Sequence, residues 1–204
     1  MNKTHAAGRR LFLASGMGIL SGIILPEWVK AVPVKWLRPP GSVPSGLFNL
    51  LCTRCGSCIK ACPSHILIHH KDKGDISAWM TPEISFENQG YCPANCNLCS
   101  RVCPSGAITL FTTEAKPQLS IGLAEIRHPE VCLLARHTEC DRCKAACLYH
   151  AIEISPSPVT GLLRPVVDEK RCTGCGACAA ICPPVIIHIK NTVSPGKKTV
   201  SPNV

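Results

Sequence analysis

The residues that could do chemistry are sixteen cysteines in four groups. Cys52, Cys55, Cys58 and Cys62, followed by Pro63, have the spacing C-x2-C-x2-C-x3-C-P, and Cys172, Cys175, Cys178 and Cys182, followed by Pro183, repeat it. This is the run that holds [4Fe-4S] cubes, with three closely spaced thiolates capping one cube and the fourth reaching another. Two-residue gaps let the backbone wrap the cube, so thiolates meet three irons while amide N–H groups face the sulfides. Gly56, Ser57, Gly174, Gly176 and Ala177 are small where a large side chain would crowd the cube or a positive φ is needed. The three-residue gap suits one helical turn that swings the last thiolate away. Proline then stops the turn, having no N–H to donate.

Two groups depart from this rule. Cys92, Cys96, Cys99 and Cys103, followed by Pro104, have three residues in the first gap; Cys132, Cys140, Cys143 and Cys147 have seven, and Leu148 stands where proline would. Both keep C-x2-C-x3-C at the end, so the longer first gap reads as an inserted loop with the four ligands retained. All sixteen cysteines are therefore iron ligands, and the cofactor expected is four [4Fe-4S] clusters.

The first cysteines, Cys52, Cys92, Cys132 and Cys172, recur at a period of 40 residues. The flanks repeat too. HILIHH, GAITLF, HAIEIS and VIIHIK follow the four groups, EISF, LAEIR and LRPVVDE precede the last three, and all read as short strands. The fold expected is α+β: two bacterial-ferredoxin-like two-cluster units built from four strand, cluster loop, helical turn, strand elements, near residues 46–70, 83–111, 122–155 and 162–190. Two elements must pair, because neither buries its apolar face alone. Sequential pairing fits. So does a nested one, since the regular groups are outermost and like would pair with like. The nested sets are Cys52, Cys55, Cys58 with Cys182; Cys172, Cys175, Cys178 with Cys62; Cys92, Cys96, Cys99 with Cys147; and Cys132, Cys140, Cys143 with Cys103.

Composition supports a cofactor-built core. Four Phe, three Trp and two Tyr exclude a large aromatic core, and 18 Pro with 15 Gly exclude long helices. The net charge of +9 suggests an anionic partner only if every cysteine is a neutral thiol. Sixteen thiolates around four cores of charge about 2+ would bring it to roughly +1. No Lys/Arg run is interleaved with aromatics, so nucleic acid is not an expected partner.

Residues 1–31 read as a targeting segment. Arg9 and Arg10 precede the uncharged LFLASGMGILSGIIL, whose 15 residues are short of the about 20 that span a bilayer. RRLFL resembles the twin-arginine signal, with Gly8 and Ala14 departing from its pattern. Export by the twin-arginine machinery is expected, to the periplasm or the outer side of the cytoplasmic membrane. Cleavage at Val29-Lys30-Ala31 and retention as an anchor both fit. Residues 32–45, with four prolines, read as a linker, residues 46–190 as the cluster domain, and residues 191–204 as a disordered tail.

From Trp36 to Lys190 the chain resembles the ferredoxin-type NapG and MauM family, itself similar to the four-cluster β subunits of the DMSO-reductase family. The resemblance rests on WLRPPG, RCGSC, CLLARHTECDRCKAAC and CTGCGAC. It implies an exported carrier of four [4Fe-4S] clusters that passes electrons between a membrane quinol-oxidising partner and a soluble redox enzyme, or a β-type subunit of a molybdopterin oxidoreductase. It also implies the nested sharing. CPANCNLC is shorter than the family's insertion, and group three lacks its Cys-Pro.

Other readings explain less. Disulfide frameworks do not repeat C-x2-C-x2-C-x3-C-P. Zinc uses two separated cysteine pairs and would leave a third cysteine idle. No C-x-x-C is followed by His, which excludes c-type haem. His65, His69, His70, His128, His137, His150 and His188 form no triad with Ser or Asp, so no substrate site is expected and the chain reads as a carrier and not an enzyme. His65 and His150 follow their cysteines at matching positions, where packing is the better account than tuning of a cluster. Trp36, Trp79 and Tyr91 read as packing residues.

Overall fold

The computed structural model describes residues 36–72 and 74–192. Arg9, Arg10 and the rest of the expected targeting segment lie outside the described residues, as do residues 193–204 of the expected tail.

The elements are short because the sequence bounds each of them. Helix α1 (Ser45–Leu51) starts after Pro44 and buries Phe48 completely. Helix α2 (Ser57–Ala61) starts after Gly56 in the left-handed region and stops at Cys62, before Pro63. Strands β1 (Leu67–His69) and β2 (Pro82–Ile84) follow, then helix α3 (Leu98–Arg101). The remainder runs β3 (Leu123–Ile126), α4 (Arg142–Ala145), β4 (Ile152–Pro156), β5 (Leu163–Val167), α5 (Ala177–Ile181) and β6 (Ile187–Lys190). Among the described residues no helix is long and apolar enough to cross a membrane.

Among the described residues the strands form three antiparallel pairs. β1 pairs with β2, with Ile68 opposite Glu83; β4 pairs with β5, with Ile154 opposite Pro165; and β3 pairs with β6, with Ala124 opposite Ile189. An isolated bridge joins Ser42 to Ile108. The chain from 42 to 108 thus closes on itself around groups one and two, and that from 123 to 190 around groups three and four. The strand pairs thus join neighbouring groups, where nested sharing would join the outermost ones. Closing neighbouring segments costs less chain entropy than joining the outermost groups across the molecule.

Two expectations change. GAITLF forms no strand, only the bridge at Ile108. Val43 donates to Ala107 O and Thr109 to Gly41 O, but Pro40 and Pro44 supply no N–H on either side, so the ladder ends there. The stretch expected as a linker belongs to the body from Arg38 onward. Arg38, Pro39, Pro40, Gly41 and Val43 are buried. The Arg38 guanidinium donates to Thr81 Oγ1 and Pro82 O, both at 2.7 Å, and to Asn49 Oδ1 at 2.9 Å, and lies 4.7 Å above the Phe48 ring. Trp36 packs at 4.2 Å, centroid to centroid, on the buried His70.

Two apolar clusters make the core. One gathers Phe48, Ile66, Leu67, Ile84, Ile108 and Ile121 around Cys58, Cys92 and Cys175. The other gathers Leu123, Ala151, Ile152, Ile186 and Ile187 around Cys132, Cys143, Cys172 and Cys178. Both cores therefore include thiols.

Candidate metal centre

In the first half, Cys52 caps the C-terminus of α1, its N–H donating to Phe48 O at 2.8 Å. Arg54 and Gly56 then adopt left-handed backbone, φ 58° and 72°, which turns the loop around its own centre. Arg54 is held there by its side chain, which donates to Trp79 O and Ser77 O at 2.9 Å. Group four uses Gly174 and Gly176 at the matching positions, φ 71° and 86°. The small residues expected from the sequence stand where the backbone bends.

Cys52, Cys55, Cys58 and Cys103 line one recess of about 350 Å³, walled by Phe48, Ile59 and Ile108. Cys103 Sγ accepts the Ile108 N–H at 3.4 Å. Burial, with Cys52, Cys103 and Cys55 nearby, pushes the Cys58 thiol up to about 11. The second set is Cys92, Cys96 and Cys99 with Cys62. Burial raises the Cys92 thiol, with Cys96 and Cys62 adding to the rise, and burial together with Cys92, Cys96 and Cys58 pushes Cys99 up to about 12.

In the second half, Cys147, Cys172, Cys175 and Cys178 line a recess of about 310 Å³ with Ala151 and Ile152. Cys147 Sγ accepts the Ala151 N–H at 3.2 Å, and Cys172 Sγ the Ala124 N–H at 3.5 Å. The Cys178 thiol is raised strongly by burial, then by Cys175, Cys172, Cys147 and Cys143. Burial, with Cys182, Cys132 and Cys140 nearby, pushes Cys143 up to about 11.

The last cysteine of each group thus crosses to its neighbour in sequence. Cys103 stands with Cys52, Cys55 and Cys58, and Cys62 with Cys92, Cys96 and Cys99. Cys147 stands with Cys172, Cys175 and Cys178, and Cys182 with Cys132, Cys140 and Cys143. The nested sets, which gave Cys182 to Cys52 and Cys103 to Cys132, are not the ones brought together. The helical turns explain it, since α2 packs on α3 and α4 on α5.

The two halves meet at groups two and four. Cys92 N–H donates to Cys175 O and Ile121 N–H to Thr173 O, both at 2.8 Å. Half-buried Tyr149 stands by the same loops, its hydroxyl pushed up to about 12 by burial and by Cys175 and Cys92. A Cβ at Gly174 would overlap the backbone of Gly122, and one at Gly176 the ring of Phe86. These glycines serve close approach as well as the turn.

The donor set fits iron–sulfur cubes. Four thiols line each of the two recesses, backbone N–H groups are aimed at sulfur, and none of the sixteen cysteines is in a disulfide. Among the described residues no three His, Cys, Asp or Glu side chains converge as ligands of a single ion. His65 and His150 are exposed, in left-handed turns at φ 51° and 50° three residues past the last cysteine, where Gly106 and Val185 stand in the other groups. One residue escaped the sequence reading. Lys116 is 3% exposed, and its Nζ donates to Pro93 O and, at 2.6 Å, to Cys96 O. Lysine is a surface residue by default, and nothing in TTEAKPQLS marks it as buried.

The chain matches the 4Fe-4S dicluster domain twice, at residues 51–108 and 138–186, the same division into halves. It is 36% identical to the ferredoxin-type protein NapF of Escherichia coli over 171 residues, covering 83% of this chain and 90% of that protein. The methylamine utilization ferredoxin-type protein MauM of Methylophilus methylotrophus is 36% identical, covering 72% and 66%. The ferredoxin-type protein NapG of Escherichia coli is 31% identical, covering 86% and 81%. With its cysteines gathered into two cluster-binding halves and relatives along most of its length, the chain belongs to the NapF, NapG and MauM family of ferredoxin-type 4Fe-4S electron-transfer proteins.

Proposed function

We propose that the protein holds four [4Fe-4S] clusters, in sets Cys52, Cys55, Cys58, Cys103; Cys92, Cys96, Cys99, Cys62; Cys172, Cys175, Cys178, Cys147; and Cys132, Cys140, Cys143, Cys182. The observation that carries this reading is that each set gathers four thiols, the fourth supplied by the adjoining group. When bound, each cluster supplies one-electron chemistry without bond making or breaking. The chain's own residues supply the rest. Apolar side chains such as Phe48, Ile108 and Ile152 keep water from the thiols, and the amides of Ile108, Ala124 and Ala151 donate to sulfur. The Cys92 to Cys175 contact supports reading the sets as one continuous series, with four repeated elements behind it.

The role is that of an intermediary with no substrate site of its own, exported and placed between a membrane quinol-oxidising partner and an extracytoplasmic redox enzyme. Support comes from the order of charged and apolar residues in 1–31 and from the family. Iron, acid-labile sulfide and zinc per chain on anaerobically purified protein, with EPR after reduction, test it. About 16 iron and 16 sulfide are expected. Zinc in place of iron would make this a structural module.

A further inference from the structure

We infer that Lys116 raises the potential of the cluster held by Cys92, Cys96, Cys99 and Cys62 by holding a buried positive charge against it. The inference rests on the four-cluster reading above. Lys116 lies in a turn beyond group two, and its long side chain returns to the loop, where Nζ donates to the carbonyls of Pro93 and Cys96. Both carbonyls are neutral groups of the cluster loop, and the ammonium also stands within hydrogen-bonding reach of the Cys92 thiol. Among the described residues no carboxylate forms an ion pair with this ammonium. A buried cation without a counter-ion is costly unless an anion offsets it. The anion on offer is a cube with four thiolates, which gains negative charge on reduction.

The other loops differ. Buried Arg38 faces Cys52, but Glu83 and Asp75 stand near its charge and its guanidinium donates to Thr81, Pro82 O and Asn49, outside the cluster loop. Arg54 also reaches a loop carbonyl, that of Cys52 at 3.3 Å, but it is exposed and water screens its charge. A fixed cation inside low-dielectric surroundings favours the more negative oxidation level, so it raises the potential of the neighbouring cluster.

EPR-monitored redox titration of the purified full chain tests this, using Lys116→Gln, which keeps a donor and removes the charge, and Lys116→Arg, which keeps the charge. In K116Q one of four midpoints should move negative by at least tenfold in its reduction equilibrium, about 59 mV for one electron, while the other three hold; K116R should stay near the unaltered chain. Four unmoved midpoints in fully loaded K116Q, or an equal shift in K116R, would overturn the role of charge. Should K116Q fail to load, Lys116→Met, similar in length and uncharged, takes its place under the same criteria, with Cys99→Ala identifying the midpoint concerned; that midpoint unmoved in the loaded variant overturns the inference. Failure of the four-cluster reading itself is distinct, since the unaltered chain would then lack iron before any potential is measured.

Discussion

The amide of Cys92 donates a 2.8 Å hydrogen bond to the carbonyl of Cys175, tying the loop of group two to that of group four. Gly176 follows directly, so closely packed that a Cβ there would overlap the Phe86 ring. Gly176→Ala should cost about 1–3 kcal/mol of stability, from the clash and from left-handed backbone at φ 86°. Adding Phe86→Ala should recover the clash portion. Denaturant unfolding of the two single variants and the double variant measures the coupling, and strict additivity would show that the contact carries no energy.

The sharing of cysteines is testable one residue at a time. Cys103→Ala should remove the same EPR signal as Cys58→Ala, with about four iron lost. Cys182→Ala should match Cys143→Ala. Under the nested alternative Cys182→Ala would instead match Cys58→Ala.

Buried thiols make loading dependent on pH. Cys58, Cys143 and Cys175 lie at about 11 and Cys99 at about 12, against an ordinary 9.0, chiefly through burial. Raised values mean that the folded, unloaded chain holds these protons more tightly than the unfolded chain does. That contribution to stability is full below about pH 9 and is lost as pH climbs through 11 to 12. The urea midpoint of the unloaded chain should fall between pH 8 and 10.5, while the loaded chain, its thiols already ionised, shows no loss from this source. Proton release on loading at pH 8, read with an indicator dye, should approach one per cysteine.

Arg38 should matter to stability well beyond an average surface charge. Its side chain is buried, donates to three partners and covers Phe48, so Arg38→Ala leaves Thr81 and Pro82 O short of a donor. A loss of about 3 kcal/mol in thermal or chemical unfolding is expected. Arg38→Lys should recover only part, because an ammonium cannot reproduce the fork.

The targeting proposal has its own check. Replacing both Arg9 and Arg10 by Lys should leave the protein in the cytoplasm after cell fractionation, and unchanged export would reject the twin-arginine reading.

The residues that bear the chemistry were legible because cluster loops impose spacing on sequence. The gaps between cysteines, Gly56, Gly174, Gly176 and the prolines after three groups all follow from local geometry. What was hidden depends on partners far along the chain. Sequential closure comes from β3 meeting β6 and Ser42 meeting Ile108, pairings that a uniform period of 40 residues leaves undetermined. Arg38 sits in a proline-rich stretch whose composition reads as linker, yet its fate is set by Thr81 and Pro82. Lys116 is the same case. Its burial is decided by carbonyls more than a helix length away in sequence, at Pro93 and Cys96.

Among the described residues each of the three sheets has only two strands, so each of these strands is an edge with unpaired backbone groups on one side. Pro82, Pro156 and Pro165 lie within these strands, and Pro40 and Pro44 bracket the isolated bridge. A proline offers no N–H to an incoming chain, and strands of three to five residues give a poor template for β-addition. A protein whose cores are built partly of cluster thiols has incomplete cores until its metal arrives. Its sheets are built so that two such chains, meeting in that state, have little with which to zip together.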